Sequence, residues 1–149
     1  MELTKVLVPT DFSNHSDQAL QWGASLAGKY AARMLLLHVI PPAVEEVSAR
    51  GSASEEAIMD LEAKVEARLY EIISQELQES LPVDVKIAVG KPAEEILRVA
   101  HEEGVDLIVM GTHGHTGLTH VLLGSTAETV LRNAPCPVFT VRAEAQITS

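Results

Sequence analysis

Two short segments of the chain hold residues whose types and spacing suit phosphate chemistry. Gly111-Thr112-His113-Gly114 is followed, after nine residues, by Gly124-Ser125-Thr126. Glycines let a backbone pass close to a ligand with no Cβ in the way. The N–H groups of such a loop can form a concavity for an anion. A helix beginning at Gly124-Ser125-Thr126 would add its unpaired N–H groups, its dipole and two hydroxyls, all favourable to phosphate. The alternative is a loop that only caps the last helix, but glycines at 111, 114, 117 and 124 exceed what a cap needs. The pattern is not a Walker A loop, because Lys91 is the last lysine in the chain. Nor is it the dinucleotide fingerprint, which follows the first strand and has a different glycine spacing. The second segment is Pro9-Thr10-Asp11. There Asp11 can hold ribose hydroxyls or a metal bound to phosphates; equally, Asp11 or Ser13 can cap the helix that follows.

Other reactive side chains are read as bystanders. His113, His115 and His120 share a loop, but no cysteine and few carboxylates lie near them in sequence, so solvated or phosphate-facing roles fit better than a metal site. His38 sits in an apolar run and reads as a satisfied core or rim histidine, whereas His15 and His101 read as surface residues. Cys136 is held between Pro135 and Pro137 with no histidine close by, which suits packing rather than nucleophilic catalysis. Ser125 has no evident base and no paired-carboxylate site is visible, so slow turnover or none is expected.

The elements that must position these residues alternate. Val6 to Val8 reads as a short buried strand ending at Pro9. A helix follows with Ala19, Leu20, Gly23, Ala24, Ala27 and Tyr30 facing inward. Met34 to Ile40 is a near-continuous apolar run, as in a strand buried on both faces, and residues 43–54 read as a flexible loop. Ile58, Leu61, Val65, Leu69, Ile72 and Leu77 form the stripe of a long amphipathic helix. Val83 to Val89 alternates as a strand. Pro92 opens a helix with Glu94 and Glu95 at its favourable dipole end. Val105 to Met110 is a further strand, Ser125 to Asn133 a helix with Ala127, Val130 and Leu131 inward, and Val138 to Val141 the last strand. Strict alternation predicts an α/β fold: a doubly wound, five-stranded parallel sheet with helices on both faces. Ligands of such sheets bind outside the carboxyl ends of the strands where the winding reverses, which directs attention to the segments after Val8, Val39 and Met110.

Composition narrows the function. The 149 residues suit one domain spanning 1–149. Hydrophobic residues make up 46%, too many for a disordered chain. The 11 basic and 21 acidic residues give a net charge of −10, poor footing for nucleic acid or an anionic membrane. Residues 43–103 carry −9 of that charge, so the rest of the chain is nearly neutral and can receive an anion. The 5 aromatic residues offer no platform for stacking single-stranded nucleic acid or an isoalloxazine. The start lacks the pattern of a signal peptide and only one cysteine is present, which together predict a cytoplasmic protein.

With both segments and the element order in hand, the chain resembles the universal stress proteins. The resemblance rests on Pro9-Thr10-Asp11, Leu37-His38-Val39, Gly111-x2-Gly114-x9-Gly124-Ser125 and Ala134-Pro135-Cys136-Pro137-Val138, and covers about Lys5 to Arg142. The glycine pattern is that of the family's ATP-binding subgroup. The resemblance implies a Rossmann-like fold and ATP, with Mg²⁺ or Mn²⁺, as ligand. Asp11 would stand at the ribose or metal, and the Val39 backbone at the adenine edge. Pro9, Val39 and Met110 would enclose the base. Gly111, Gly114, Gly124, Ser125 and Thr126 would surround the phosphates. His115 stands where relatives often carry arginine, so affinity is expected to strengthen as pH falls. The implied role is a nucleotide-dependent stress-response switch or adaptor; the rival is an ATPase or phosphotransferase on the same fold. A phosphorelay receiver is disfavoured, because the third strand ends in Val89-Gly90-Lys91 rather than an acceptor aspartate. The resemblance also implies a homodimer paired through Val138, Phe139, Thr140 and Val141, which a charge at Val141 is expected to break.

Overall fold

The computed structural model describes residues 2–41, 55–112 and 123–142. Its elements run β1 (Lys5–Pro9), α1 (Asn14–Lys29), β2 (Arg33–Ile40), α2 (Glu55–Glu76), β3 (Val83–Val89), α3 (Pro92–Glu102), β4 (Leu107–Gly111), α4 (Ser125–Asn133) and β5 (Val138–Val141). The five strands are parallel in the order β3-β2-β1-β4-β5. The chain winds outward from β1 to β3, then crosses to β4 on β1's other side. The winding reverses between β1 and β4, as the alternation predicts.

Strand pleating sends successive side chains to opposite faces, and the burial follows it. Val6, Val8, Met34, Leu36 and Val109 join Leu20 of α1 and Leu69 of α2 in one core layer. Leu7, Leu35, Leu37, Ile108 and Met110 join Val99 of α3 and Val130 of α4 in the other. Central strands with no polar face read as apolar runs for this reason. α1 lies close against the sheet because Gly23 has no side chain: a Cβ there would stand 2.5 Å from Val8 Cγ2.

Three expectations change. β4 begins at Leu107, not Val105; the Asp106 N–H already bonds Lys5 O, but Val105 closes the preceding turn through Ala100 O. Tyr30 caps α1 and is 58% exposed, because the chain leaves the helical stripe there. Leu131 is 40% exposed, since Ala127 and Val130 already fill the inner face of α4 and the next residue turns outward. The expected loop at 43–54 and the tail from Ala143 lie outside the described residues.

A further correction concerns the last strand. β5 is an edge strand, as expected, but Val141 is buried beneath α1 in the chain's own core. A glutamate at this position would disrupt folding before it reported on assembly. The exposed member is Phe139, whose ring lies 5.5 Å from that of Trp22 on α1.

Candidate functional site

The turn after β1 is built by local hydrogen bonds. Thr10 N–H continues the sheet ladder to Leu37 O at 2.8 Å, and Thr10 Oγ1 receives the Phe12 N–H at 3.1 Å. Asp11 Oδ1 accepts the Ser13 N–H at 2.9 Å, the aspartate turn that favours this residue type. Ser13 is the N-cap of α1, and its hydroxyl accepts the Ser16 N–H. Of the two roles open to Asp11, one oxygen therefore serves the turn, while Ser13 takes the cap. Asp11 also reaches Asp17 electrostatically. Burial first, then Glu76 and Asp11, pushes the Asp17 carboxyl above its usual range.

The turn after β4 mirrors this arrangement across the switch point. Thr112 is buried; its N–H bonds Val141 O at 3.1 Å and its carbonyl accepts the Gly124 N–H at 2.7 Å. Gly124 is the N-cap of α4, and among the described residues no side chain caps that helix. Toward the described residues, the N–H groups of its first turn therefore keep their donors for solvent or a ligand. Gly111 sits at a close approach: a Cβ there would stand 3.0 Å from the His15 carbonyl oxygen and 3.1 Å from its carbon, so the α1 backbone would have to yield to admit a side chain. His15 is accordingly half-buried at this contact, not the surface residue expected.

Between the two turns lies a cleft of about 250 Å³, near the small end of ligand sites. Pro9, Thr10, Asp11 and Ser16 form one wall. Met110, Gly111, Thr112 and the start of α4 from Gly124 to Ala127 form the other. Leu37, Val39, Pro92 and Ile96 make an apolar end. The fold thus gathers Pro9, Thr10, Asp11, Val39, Met110, Gly111, Gly124, Ser125 and Thr126 around one space. Gly114 and His115 lie outside the described residues, as do His113 and His120. Sequence reasoning gave Thr112 no role of its own, although it lies within the glycine segment, and missed Ser16 in the first turn of α1. It also missed Pro92 and Ile96, which enter because the topology sets the start of α3 on the same face as α4.

The remaining candidates stand apart. His38 Nδ1 lies 2.8 Å from the Thr10 carbonyl oxygen. A carbonyl only accepts, so this nitrogen carries the proton and His38 is a satisfied rim residue. Cys136 precedes β5, where burial, and then Asp106, push its thiol above the ordinary range and disfavour the thiolate. A larger groove of about 760 Å³ opens at the other end of the sheet between the carboxyl ends of α1 and α2, near Lys29, Glu76 and Leu81. Helix carbonyls face that end, which disfavours an anion.

An open parallel sheet of this order, with a glycine-lined cleft and a helix start at its switch point, defines an α/β protein of the Rossmann-like kind. Residues 2–142 match the model of the universal stress protein family, and the chain belongs to that family. It is 34% identical to universal stress protein MJ0577 of Methanocaldococcus jannaschii, over 93% of this chain and 94% of that one. The solved structure of MJ0577 superposes with a TM-score of 0.84, covering 98% of this chain and 100% of that chain. Universal stress protein YxiE of Bacillus subtilis is also 34% identical, over 93% of this chain and 98% of its own. A universal stress protein solved in complex with cAMP shares the fold at a TM-score of 0.64 and 22% identity, covering 97% of this chain and 100% of that one.

Proposed function

We propose that this chain is an adenine-nucleotide-binding universal stress protein that takes ATP in the cleft between β1 and β4. It would act as a single cytoplasmic nucleotide-dependent switch or adaptor domain with slow or no hydrolysis. One observation carries the reading: the first turn of α4, which no side chain among the described residues caps, faces Asp11 with its Ser125 and Thr126 across a cleft whose far end is apolar. Those N–H groups and hydroxyls suit phosphates, the carboxylate suits ribose hydroxyls, and Leu37, Val39, Ile96 and Met110 suit a purine. The cAMP complex of the relative named above is consistent with this choice of ligand.

Among the described residues no three His, Cys, Asp or Glu side chains come together as a metal set. Asp11 is the carboxylate in the cleft, and Mg²⁺ or Mn²⁺ would be held by it together with the nucleotide's own phosphates. The metal would supply charge neutralisation of the phosphates; this chain's groups bind and orient. His115 would stand on the phosphate side, replacing a fixed cation with a titratable one.

The test is direct. Nucleotide released from the purified, denatured protein is identified by chromatography, and ATP, ADP and AMP are titrated by calorimetry with Mg²⁺ present. Tightest binding of ATP supports the reading; equal or absent binding of all three overturns it. Single-turnover hydrolysis decides between the switch and the ATPase or phosphotransferase.

The reading includes a homodimer through β5. It is supported by an edge strand carrying Phe139 beside the exposed Trp22. Phe139→Glu should convert a dimer to a folded monomer in light scattering; a wild-type monomer removes this part of the proposal.

A further inference from the structure

Phe12 follows Asp11 in the turn after β1 and has φ +66°, a left-handed conformation that is costly for a bulky side chain. Such a conformation persists where the surroundings over-determine it, and it is stored where geometry matters. Here the surroundings are explicit. The Phe12 ring packs on the His38 ring, centroids 4.5 Å apart and planes inclined by 33°. The Arg68 guanidinium of α2 covers the Phe12 ring at 4.0 Å from its centroid. His38 Nδ1 in turn donates to the Thr10 carbonyl at 2.8 Å.

None of Phe12, His38 and Arg68 lines the cleft. His38 alternates with Leu36 and Ile40 on β2, whose side chains face α1 and α2, whereas the cleft opens on the α3 and α4 side. The stack therefore grips the β1–α1 turn from behind. Thr10 is the residue common to both sides: it lines the cleft, and its carbonyl and hydroxyl are held by His38 and by the Phe12 N–H. Asp11 lies between Thr10 and Phe12, so its backbone is fixed from each flank.

We propose that the Arg68–Phe12–His38 stack is a positioning clamp that sets nucleotide affinity from the opposite face of the sheet by holding Thr10 and Asp11, and so couples α2 to the cleft. The proposal rests on the nucleotide reading above and names a means by which that same site is regulated. A ligand or partner that moves α2 would loosen Arg68, release the ring and slacken the turn. The strain at Phe12 makes the turn ready to relax when the stack opens.

Variants separate positioning from simple stability. Phe12→Gly accepts the left-handed backbone without a Cβ penalty, whereas Phe12→Ala keeps that penalty, and both lose the ring. Phe12→Gly should melt at a higher temperature than Phe12→Ala, yet both should bind ATP with Mg²⁺ about tenfold more weakly than wild type. Phe12→Tyr restores the ring and should restore affinity. Arg68→Gln changes an exposed helical residue, so it should lower the melting temperature by no more than about 2–4 °C, less than Phe12→Ala does, while weakening ATP binding roughly threefold. His38→Asn keeps a donor for Thr10 but removes the ring, and should fall between these. Calorimetry and thermal melts of the full chain give both readouts. Affinity that simply follows melting temperature across the series, or folded Phe12→Gly and Arg68→Gln proteins with wild-type affinity, overturns the clamp alone. A wild-type protein that binds none of ATP, ADP and AMP overturns the nucleotide reading and the clamp with it.

Discussion

At the amino end of the sheet, Asp106 accepts the Thr4 hydroxyl at 2.7 Å and the N–H groups of Thr4 at 2.9 Å and Lys5 at 3.0 Å. Glu103 there bridges Lys5 at 3.2 Å and Lys86 at 3.1 Å, and Arg33 pairs with Asp84 at 3.1 Å. At the carboxyl end, by contrast, α4 starts with no side-chain cap among the described residues, and Gly111 and Gly124 line the cleft in front of it. Both ends are made of the same strands and helices. The difference follows from direction: a parallel sheet with returning helices puts helix N–H groups at its carboxyl end and helix carbonyls at its amino end. One end can spend its polar groups on holding elements together, while the other keeps donors for an anion. The large groove at the amino end, beside Glu76, is wider than the cleft but has the wrong polarity for phosphate.

The largest expected effect comes from filling the carboxyl end. Gly124→Val places a branched side chain at the mouth of α4. A charged hydrogen bond to phosphate is worth about 1.5–3 kcal/mol, so loss of the approach should weaken ATP binding by roughly ten- to a hundredfold. Far-UV circular dichroism should be unchanged, because Gly124 has φ −61° and ψ 157°, which valine adopts readily. Undiminished affinity in calorimetry would remove α4 from the phosphate site.

Asp11 comes next, since it works on both sides of the comparison. Asp11→Asn keeps a carbonyl oxygen for the Ser13 N–H but loses the charge. It should melt like wild type while binding nucleotide about tenfold more weakly in the presence of Mg²⁺. Asp11→Ala should lose affinity and, in addition, about 1 kcal/mol of stability as the turn loses its acceptor. An Asp11→Asn protein with full affinity would leave Asp11 a turn residue only.

How much of this was legible in the sequence depends on how local the cause is. The strand–helix alternation, the two core faces and the position of the switch point follow from apolar runs and amphipathic stripes. The glycine segment and Pro9-Thr10-Asp11 were visible because their residue types have few other uses. Pro92 and Ile96 were not, because they join the cleft through a crossover that no short window reveals. The stack of Phe12, His38 and Arg68 was equally hidden, as it joins a turn, a strand and a helix far apart in the chain. Val141 misled because an edge strand still has one face in the core, and a four-residue segment does not say which side chains take it. The reading of His15 as a surface residue failed for a similar reason: Gly111 packs onto its backbone from the other side of the switch point.

The amino end should respond in stability alone. Asp106→Ala removes the acceptor of three hydrogen bonds at a partly exposed site. Solvent discounts such contacts, so a loss of about 1 kcal/mol, or a fall of roughly 2–4 °C in melting temperature, is expected. ATP affinity should stay at the wild-type value. A loss of affinity comparable to that of Asp11→Asn would mean the two ends are not separate in function.

The smallest effect, and the one that sets the two ends against each other most directly, is their response to acid. The Thr4 hydroxyl, then the Thr4 N–H, hold the Asp106 carboxyl below its usual range, and Lys86 followed by Lys5 does the same for Glu103. A depressed carboxylate contributes stability that is present above its unfolded pKa, about 4, and lost as pH falls through the lower folded value. Asp17, in the first turn of α1 at the carboxyl end, is shifted the other way by burial and by Glu76 and Asp11. Its ionised form costs stability at neutral pH, and that cost disappears as pH falls through its raised folded value. Asp17→Asn should therefore melt slightly above wild type at pH 7, with the difference closing on acidification. Asp106→Asn should melt below wild type at pH 7, with its difference also closing, but only at lower pH than for Asp17. Added salt should shrink the Glu103 contribution, because its lysine pairs are exposed to solvent. Melting temperatures of the three proteins from pH 7 to pH 3 check both signs; differences of the same sign at neutral pH would show that the two ends do not bear their carboxylates in opposite ways.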